Sequence, residues 1–204
     1  MIRKALAITF LFCVLAMAAQ DFISVKYNGA KPSISDFVTS YLATVNQSDE
    51  DCNDEAGGAM AHAWNKYRKG LPLEQGESIT VDEKNGYICY VSKYEENTMV
   101  IEMCYWNEAD KKHKLFAYNV NSYCNGKASM GQFDGITFHR YNNATKKMTF
   151  VGGPGLDCVD DVENVVCKTF SLPRTGKDLT VSLWYENGKV AKKTLRWNGT
   201  KFTL

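Results

Sequence analysis

Charge of one sign is missing: 24 Lys+Arg stand against 23 Asp+Glu, a formal net charge of +1. That balance excludes the broad electrostatic footprint of a protein whose main partner is nucleic acid. Proline is scarce, with 4 residues, and histidine scarcer, with 3, far apart at His62, His113 and His139. No pair of cysteines is close enough for a C-x-x-C metal knuckle, so a zinc site is not expected. The patterns G-x-G-x-x-G, P-loop, G-x-S-x-G and H-E-x-x-H are all absent, which leaves no catalytic signature and no cofactor expectation. After the first residues no apolar run approaches the roughly 20 residues of a membrane-spanning helix, so no membrane insertion is expected.

What is present is ordinary globular composition, 204 residues with 45% hydrophobic and 12% aromatic content. Arg3 and Lys4 precede an apolar stretch from Ala5 to Ala16, and Ala16-Met17-Ala18 fits a small-x-small cleavage rule, so residues 1–18 read as a signal peptide. Phe12 before Cys13 argues against a lipid anchor. The mature chain, 19–204, reads as one α+β domain, with the Gly152-Gly153-Pro154-Gly155 stretch as the one place where an internal boundary could fall. The expected location is secreted or periplasmic.

Removal of the leader leaves Cys52, Cys89, Cys104, Cys124, Cys158 and Cys167, an even set in an oxidising compartment, and disulfides are the expectation. Ile34, Phe37, Val38, Tyr41, Leu42 and Val45 form one helical stripe; Ala56, Ala59, Met60, Ala63, Trp64 and Tyr67 form a second. Ser33, with Asp36 three residues on, is the expected N-cap of the first helix, and Gly70 followed by Pro72 the stop of the second. From Ser78 the period changes to two, with candidate strands at 78–83, 86–94, 98–106, 113–121, 135–141, 146–151, 166–172, 178–186, 189–197 and 200–204. The fold expectation is therefore α+β: an N-terminal helix pair followed by an antiparallel, hairpin-rich sheet or partly closed barrel.

Two hairpins can be registered. A turn centred on Glu96-Asn97 sets Tyr90 against Met103 and Cys89 directly against Cys104, which predicts that disulfide. Proximity then suggests Cys158 with Cys167, leaving Cys52 with Cys124. For the C-terminal hairpin a three-residue loop with Gly188 in a left-handed bulge position sets Val181 against Leu195 and Leu179 against Trp197, with Trp184 on the polar face beside Thr180 and Ser182.

The acidic clusters have local explanations. Asp49, Glu50, Asp51, Asp54 and Glu55 precede the second helix, where negative charge suits the helix dipole. Asp157, Asp160, Asp161 and Glu163 lack the glycine turn and final Glu of the known calcium loop. The aromatics are the candidate binding residues: Tyr87, Trp106 and Trp184 fall on mixed or polar sheet faces, where outward rings can stack on sugars or anchor a protein. The competing possibility is that the helices or the C-terminal hairpins cover these rings as core.

The runs Met103–Asn107 and Ala109–Lys114, Gly135–Phe138 with Tyr141-Asn142, Leu172–Asp178 and Leu195–Gly199 resemble secreted or periplasmic proteins of Gram-negative gut anaerobes that have no established activity. The resemblance implies a bacterial source and export, under which the sequons at Asn46, Asn143 and Asn198 carry no glycan. It supplies no site residues. The expected function is a non-enzymatic binding protein whose ligand is a glycan or a protein; an inhibitor of a protease or lysozyme is the alternative, and a hydrolytic enzyme the third.

Overall fold

A computed structural model describes residues 22–45, 55–129, 131, 134–160 and 162–204. Residues 1–18, Asn46, Cys52 and Asp161 lie outside them. Helix α1 (Ile34–Val45) opens as its sequence predicts: Asp36 N–H donates to Ser33 Oγ at 3.3 Å and Ser33 N–H donates to Asp36 Oδ2 at 2.8 Å, a reciprocal cap. Its stripe buries Ile34, Phe37 and Val38 completely. Helix α2 (Glu55–Arg68) stops where Gly70 takes φ +66° and Leu71 N–H reaches back to Lys66 O at 3.0 Å.

The strands are β1 (Phe22–Ser24), β2 (Glu77–Asp82), β3 (Tyr87–Tyr94), β4 (Asn97–Asn107), β5 (His113–Cys124), β6 (Lys127–Ala128), β7 (Gly135–Asn142), β8 (Lys147–Val151), β9 (Val165–Ser171), β10 (Leu179–Tyr185), β11 (Val190–Trp197) and β12 (Phe202–Thr203). Every pairing is antiparallel. One sheet runs β1-β8-β7-β5-β4-β3-β2 with β6 appended to β5; a smaller one runs β12-β11-β10-β9. Both are open, so of the two expected forms it is the antiparallel sheet, and not a partly closed barrel, that is present among the described residues. The helix pair is also not simply N-terminal, because β1 precedes it and closes the far edge of the main sheet on β8.

Strand alternation divides the core in two. One face of the main sheet presents Ile88, Tyr90, Ile101, Met103, Phe116, Tyr118 and Tyr141 to the helices. The other presents Tyr87, Cys104, Trp106, Leu115, Ala117 and Phe138 to the smaller sheet, whose inner face supplies Leu179, Val181, Leu183, Leu195 and Trp197. The result is three layers, helices on sheet on sheet. The strands of the middle layer are therefore apolar on both faces, which is why their period-2 contrast is weak in the sequence.

Both hairpin registers differ from expectation by two residues while keeping every side chain on its expected face. The β3–β4 turn is Glu95-Glu96, with Glu95 at φ +51°, so Tyr94 pairs with Asn97 and Tyr90 with Ile101. Cys89 then stands opposite Glu102, and Cys104 opposite Tyr87. The two thiols are diagonal neighbours rather than partners. Cys89, Cys104, Cys124, Cys158 and Cys167 are all unbridged, so the expected pairs Cys89–Cys104 and Cys158–Cys167 are not formed, and the Cys52–Cys124 pair falls partly outside the described residues. In the β10–β11 hairpin the three-residue loop with Gly188 at φ +79° is present, but it spans 186–188, so Leu179 pairs with Leu195 and Val181 with Lys193.

Candidate functional site

The aromatic residues singled out above separate at once. Tyr87 is 7% exposed and Trp106 4%, because the smaller sheet lies over them. The expectation that they face outward is corrected: mixed polarity on their face reflects a polar seam between two packed sheets, not solvent. Trp106 Nε1 donates to Lys177 O at 2.8 Å, and its ring packs among Phe138, Trp197 and Phe202. Trp184 is half-buried on the outer face of β10, its Nε1 donating to Thr169 Oγ1 at 3.0 Å and its ring edge-on to Tyr123.

The seam is built around Glu102. Its carboxylate accepts from Tyr87 Oη at 2.7 Å, Asn119 Nδ2 at 3.2 Å and Leu172 N at 3.1 Å. Asn119 and Asn121 donate to Phe170 O at 2.8 and 2.7 Å, and Phe170 N donates to Asn121 Oδ1 at 3.2 Å. These side chains thus complete the backbone bonding at the β9 edge as a neighbouring strand would. Burial pushes the Glu102 carboxyl above its ordinary value, while the three donors pull the other way. The seam fastens the layers together, with Glu102, Asn119 and Asn121 all buried in it.

The three histidines lie apart. His62 is exposed, and His139 is packed edge-on between Tyr41 and Phe150. His113 begins β5 at one end of the main sheet. Its Nδ1 donates to Asp110 Oδ2 at 2.5 Å, and Asn142 Nδ2 donates to Nε2 at 3.1 Å, so both ring nitrogens are engaged. That contact, with the backbone N–H groups of Lys112 and His113, holds the Asp110 carboxyl down to about 2. Glu108, Asp110 and His113 come within 4.8 Å of one another, the one group with metal-ligand chemistry among the described residues. Arg140 Nε already donates to Glu108 at 2.7 Å, and Asp110 and both His113 ring nitrogens are engaged, so the ligand atoms of the cluster are spoken for. In the other acidic segment, Lys168 Nζ lies 3.3 Å from the Asp160 carboxylate and 3.0 Å from its carbonyl.

Beside His113 is a cleft of about 470 Å³ on the helix side of the sheet, into which Lys31, Lys111 and Lys114 converge with Tyr27, Asn107 and Asn143. Three chain segments meet there. The β1–α1 connection supplies Tyr27 and Lys31, the β4–β5 hairpin supplies Asn107 at the end of β4, Lys111 in the turn and Lys114 in β5, and the β7–β8 turn supplies Asn143. Those turns share one end of the sheet because β5 lies between β4 and β7. They are tied to each other: Asn143 N donates to Lys112 O at 2.9 Å and Asn143 Nδ2 to Lys111 O at 3.1 Å. Lys114 is held by Asn107 Oδ1 and by the Tyr105 ring, 4.4 Å from its centroid. Burial, and next the charge of Lys31, push the Lys114 ammonium below its ordinary value.

No carboxylate lines this cleft, and none of its three lysines belongs to an ion pair among the described residues. A smaller depression of about 310 Å³ on the other side of His113 has its cations engaged: Arg140 by Glu108, and Lys147 by the Phe22 ring at 3.4 Å. What sets the lysine cleft apart is that three lysines line one concavity with no carboxylate in the lining. Sequence reasoning missed it, although the run Lys111-Lys112-His113-Lys114 at the start of a strand was a visible signal. Among known proteins the chain matches no family model, no curated protein and no solved structure.

Proposed function

We propose that the protein is an exported, secreted or periplasmic, non-enzymatic binding protein, and that its ligand is a glycan carrying anionic groups, seated in the lysine cleft. The carrying observation is the convergence of Lys31, Lys111 and Lys114 on one concavity without an acidic residue in its lining. Gathering like charge costs free energy in the empty protein, and an anion entering the cleft relieves that cost. Asn107, Asn143 and Tyr27 add amide and phenol groups suited to sugar hydroxyls. A sugar carboxylate or sulfate meets the lysines as point charges.

The test is a panel of acidic and neutral oligosaccharides titrated calorimetrically against the wild type and a Lys31→Ala/Lys114→Ala variant. Acidic members should bind, weaken as added salt shortens the screening length, and lose most of their affinity in the variant. Equal binding of neutral glycans, or acidic binding that survives loss of both lysines, would exclude this reading.

A further inference from the structure

Beyond Tyr27 the cationic surface continues. A second cleft of about 310 Å³ shares Tyr27 with the first and is lined by Lys26 and Arg68 together with Ser35, Thr39 and Asp36. Arg68 Nη1 donates to Thr39 Oγ1 at 3.0 Å, which orients the guanidinium without neutralising it. Among the described residues neither Lys26 nor Arg68 has a carboxylate partner. Asp36, the one acid in this cleft, is already turned to the Ser33 N–H of the helix cap. Between the clefts stands the Tyr27 ring, with Lys146 Nζ 4.8 Å from its centroid. Unpaired cations thus lie on both sides of an aromatic residue; the hydroxyls of Ser35 and Thr39 beside the second set are engaged within the protein, Ser35 with Glu83 and Thr39 with Trp64, Arg68 and the Ser35 carbonyl.

One anionic group has use for only one of these sets. We infer that the ligand is a chain, an acidic oligosaccharide that places one anionic unit against Lys31, Lys111 and Lys114 and a second, past Tyr27, against Lys26 and Arg68. This deepens the proposed function and rests on it. The two sites act as linked contacts, so the second engagement is intramolecular and adds to affinity only when the chain is long enough to reach. The side-chain amides of Asn107 and Asn143 in the first cleft and of Asn28 in the second favour a saccharide over a lipid surface, which would need exposed apolar residues that these clefts do not offer.

The decisive measurement is affinity against chain length. Galacturonate monomer, trimer and hexamer, and a sulfated glycosaminoglycan series of the same lengths, are titrated into the full-length mature protein. In at least one series, affinity should rise about tenfold or more from monomer to the longer chains. Lys26→Ala/Arg68→Ala should abolish that gain and leave monomer binding unchanged, whereas Lys31→Ala/Lys114→Ala should weaken every length. Lys26, Lys31 and Arg68 are exposed and Lys114 is half-buried, and matching melting curves would show that the variants fold. Affinity that is flat with length but still needs Lys31 and Lys114 overturns the chain inference and leaves the anionic-ligand function standing. Failure of both series to bind at any length overturns both, and tighter binding of a single-stranded oligonucleotide of equal charge overturns the saccharide assignment.

Discussion

Glu102 allows the two roles of a buried carboxylate to be separated. In Glu102→Ala the Tyr87 hydroxyl and the Leu172 N–H lose their acceptor, while Asn119 keeps its bond to Phe170 O. Two buried donors that lose a charged acceptor, Tyr87 falling back on the weak acceptor Cys89 Sγ and Leu172 N–H on none, cost about 1 to 3 kcal/mol each, and the small cavity adds about 1, so the loss is about 3 to 7 kcal/mol. Glu102→Gln keeps the shape. Its oxygen can accept from Leu172 N and Asn119, and its amide can donate to the Tyr87 oxygen, whose own proton turns toward the Cys89 sulfur beside it. The glutamine variant should therefore lie within about 1 kcal/mol of wild type at neutral pH, or above it, because a charge has been removed from a site that penalises charge. Glu102 is raised above its ordinary 4.5, mainly by burial, so the folded state holds this proton more tightly than the unfolded state. Its contribution to stability is most favourable in acid and declines as pH rises from that value through the folded one. The difference between glutamine and wild type should grow over that interval and vanish below it. Urea denaturation from about pH 4 to 8 measures both quantities. If glutamine destabilises as much as alanine, or the difference does not change with pH, the charge itself holds the layers together and this account is wrong.

Two further substitutions probe the layers on either side. Trp106→Ala should cost about 3 to 5 kcal/mol, since the indole is 4% exposed, whereas Trp184→Ala, on a half-buried ring with a single hydrogen bond, should cost about 1 to 2; comparable melting temperatures for the two would contradict the layer assignment. His139 is lowered from 6.5 to about 4 by burial, and its Nδ1 has no partner, so the stability it contributes is complete above 6.5 and lost as pH falls toward 4, at most about 3 kcal/mol. His139→Phe, placed between Tyr41 and Phe150, should remove that acid sensitivity without loss at neutral pH, and an unchanged acid slope in its denaturation curves would refute the assignment.

The secondary structure was largely legible because each signal was local. The Ser33–Asp36 cap, the Gly70 stop, both helical stripes and all ten expected strands come from neighbours a few residues apart. Side-chain parity was legible for the same reason. Register was not. A two-residue slip leaves every residue on its face, so hydrophobic pattern alone cannot distinguish Cys89 opposite Cys104 from Cys89 opposite Glu102; the choice depends on whether Glu95 accepts φ +51° in a tight turn. Strands β1 and β6, of 3 and 2 residues, were invisible because neither is long enough to show a period. Tyr87 and Trp106 were misplaced for a different reason. Polar residues beside them suggested solvent, when Glu102, Asn119 and Asn121 were instead satisfying the backbone of another sheet.

The lysine cleft depends on the least local information of all. Tyr27 and Lys31 reach it only because β1 pairs with β8 and delivers the chain to the end of the sheet where β4 turns into β5. Val25 N–H donates to Lys146 O at 2.9 Å, fixing that delivery beside the β7–β8 turn, and Pro32 then leads directly into the capped α1. A strand of 3 residues thus places one wall of the cleft, and a run of four basic or histidine residues places the other. Net charge could not reveal this, since +1 over 204 residues is compatible with any distribution. What distinguishes the cleft is placement: Lys31, Lys111 and Lys114 line one concavity that has no carboxylate in its lining, and none of the three has an ion-pair partner among the described residues. Three lysines converging in a concavity that no carboxylate lines make a surface whose complement is an anion, and it is the continuation of unpaired cations past Tyr27 that makes that complement a chain.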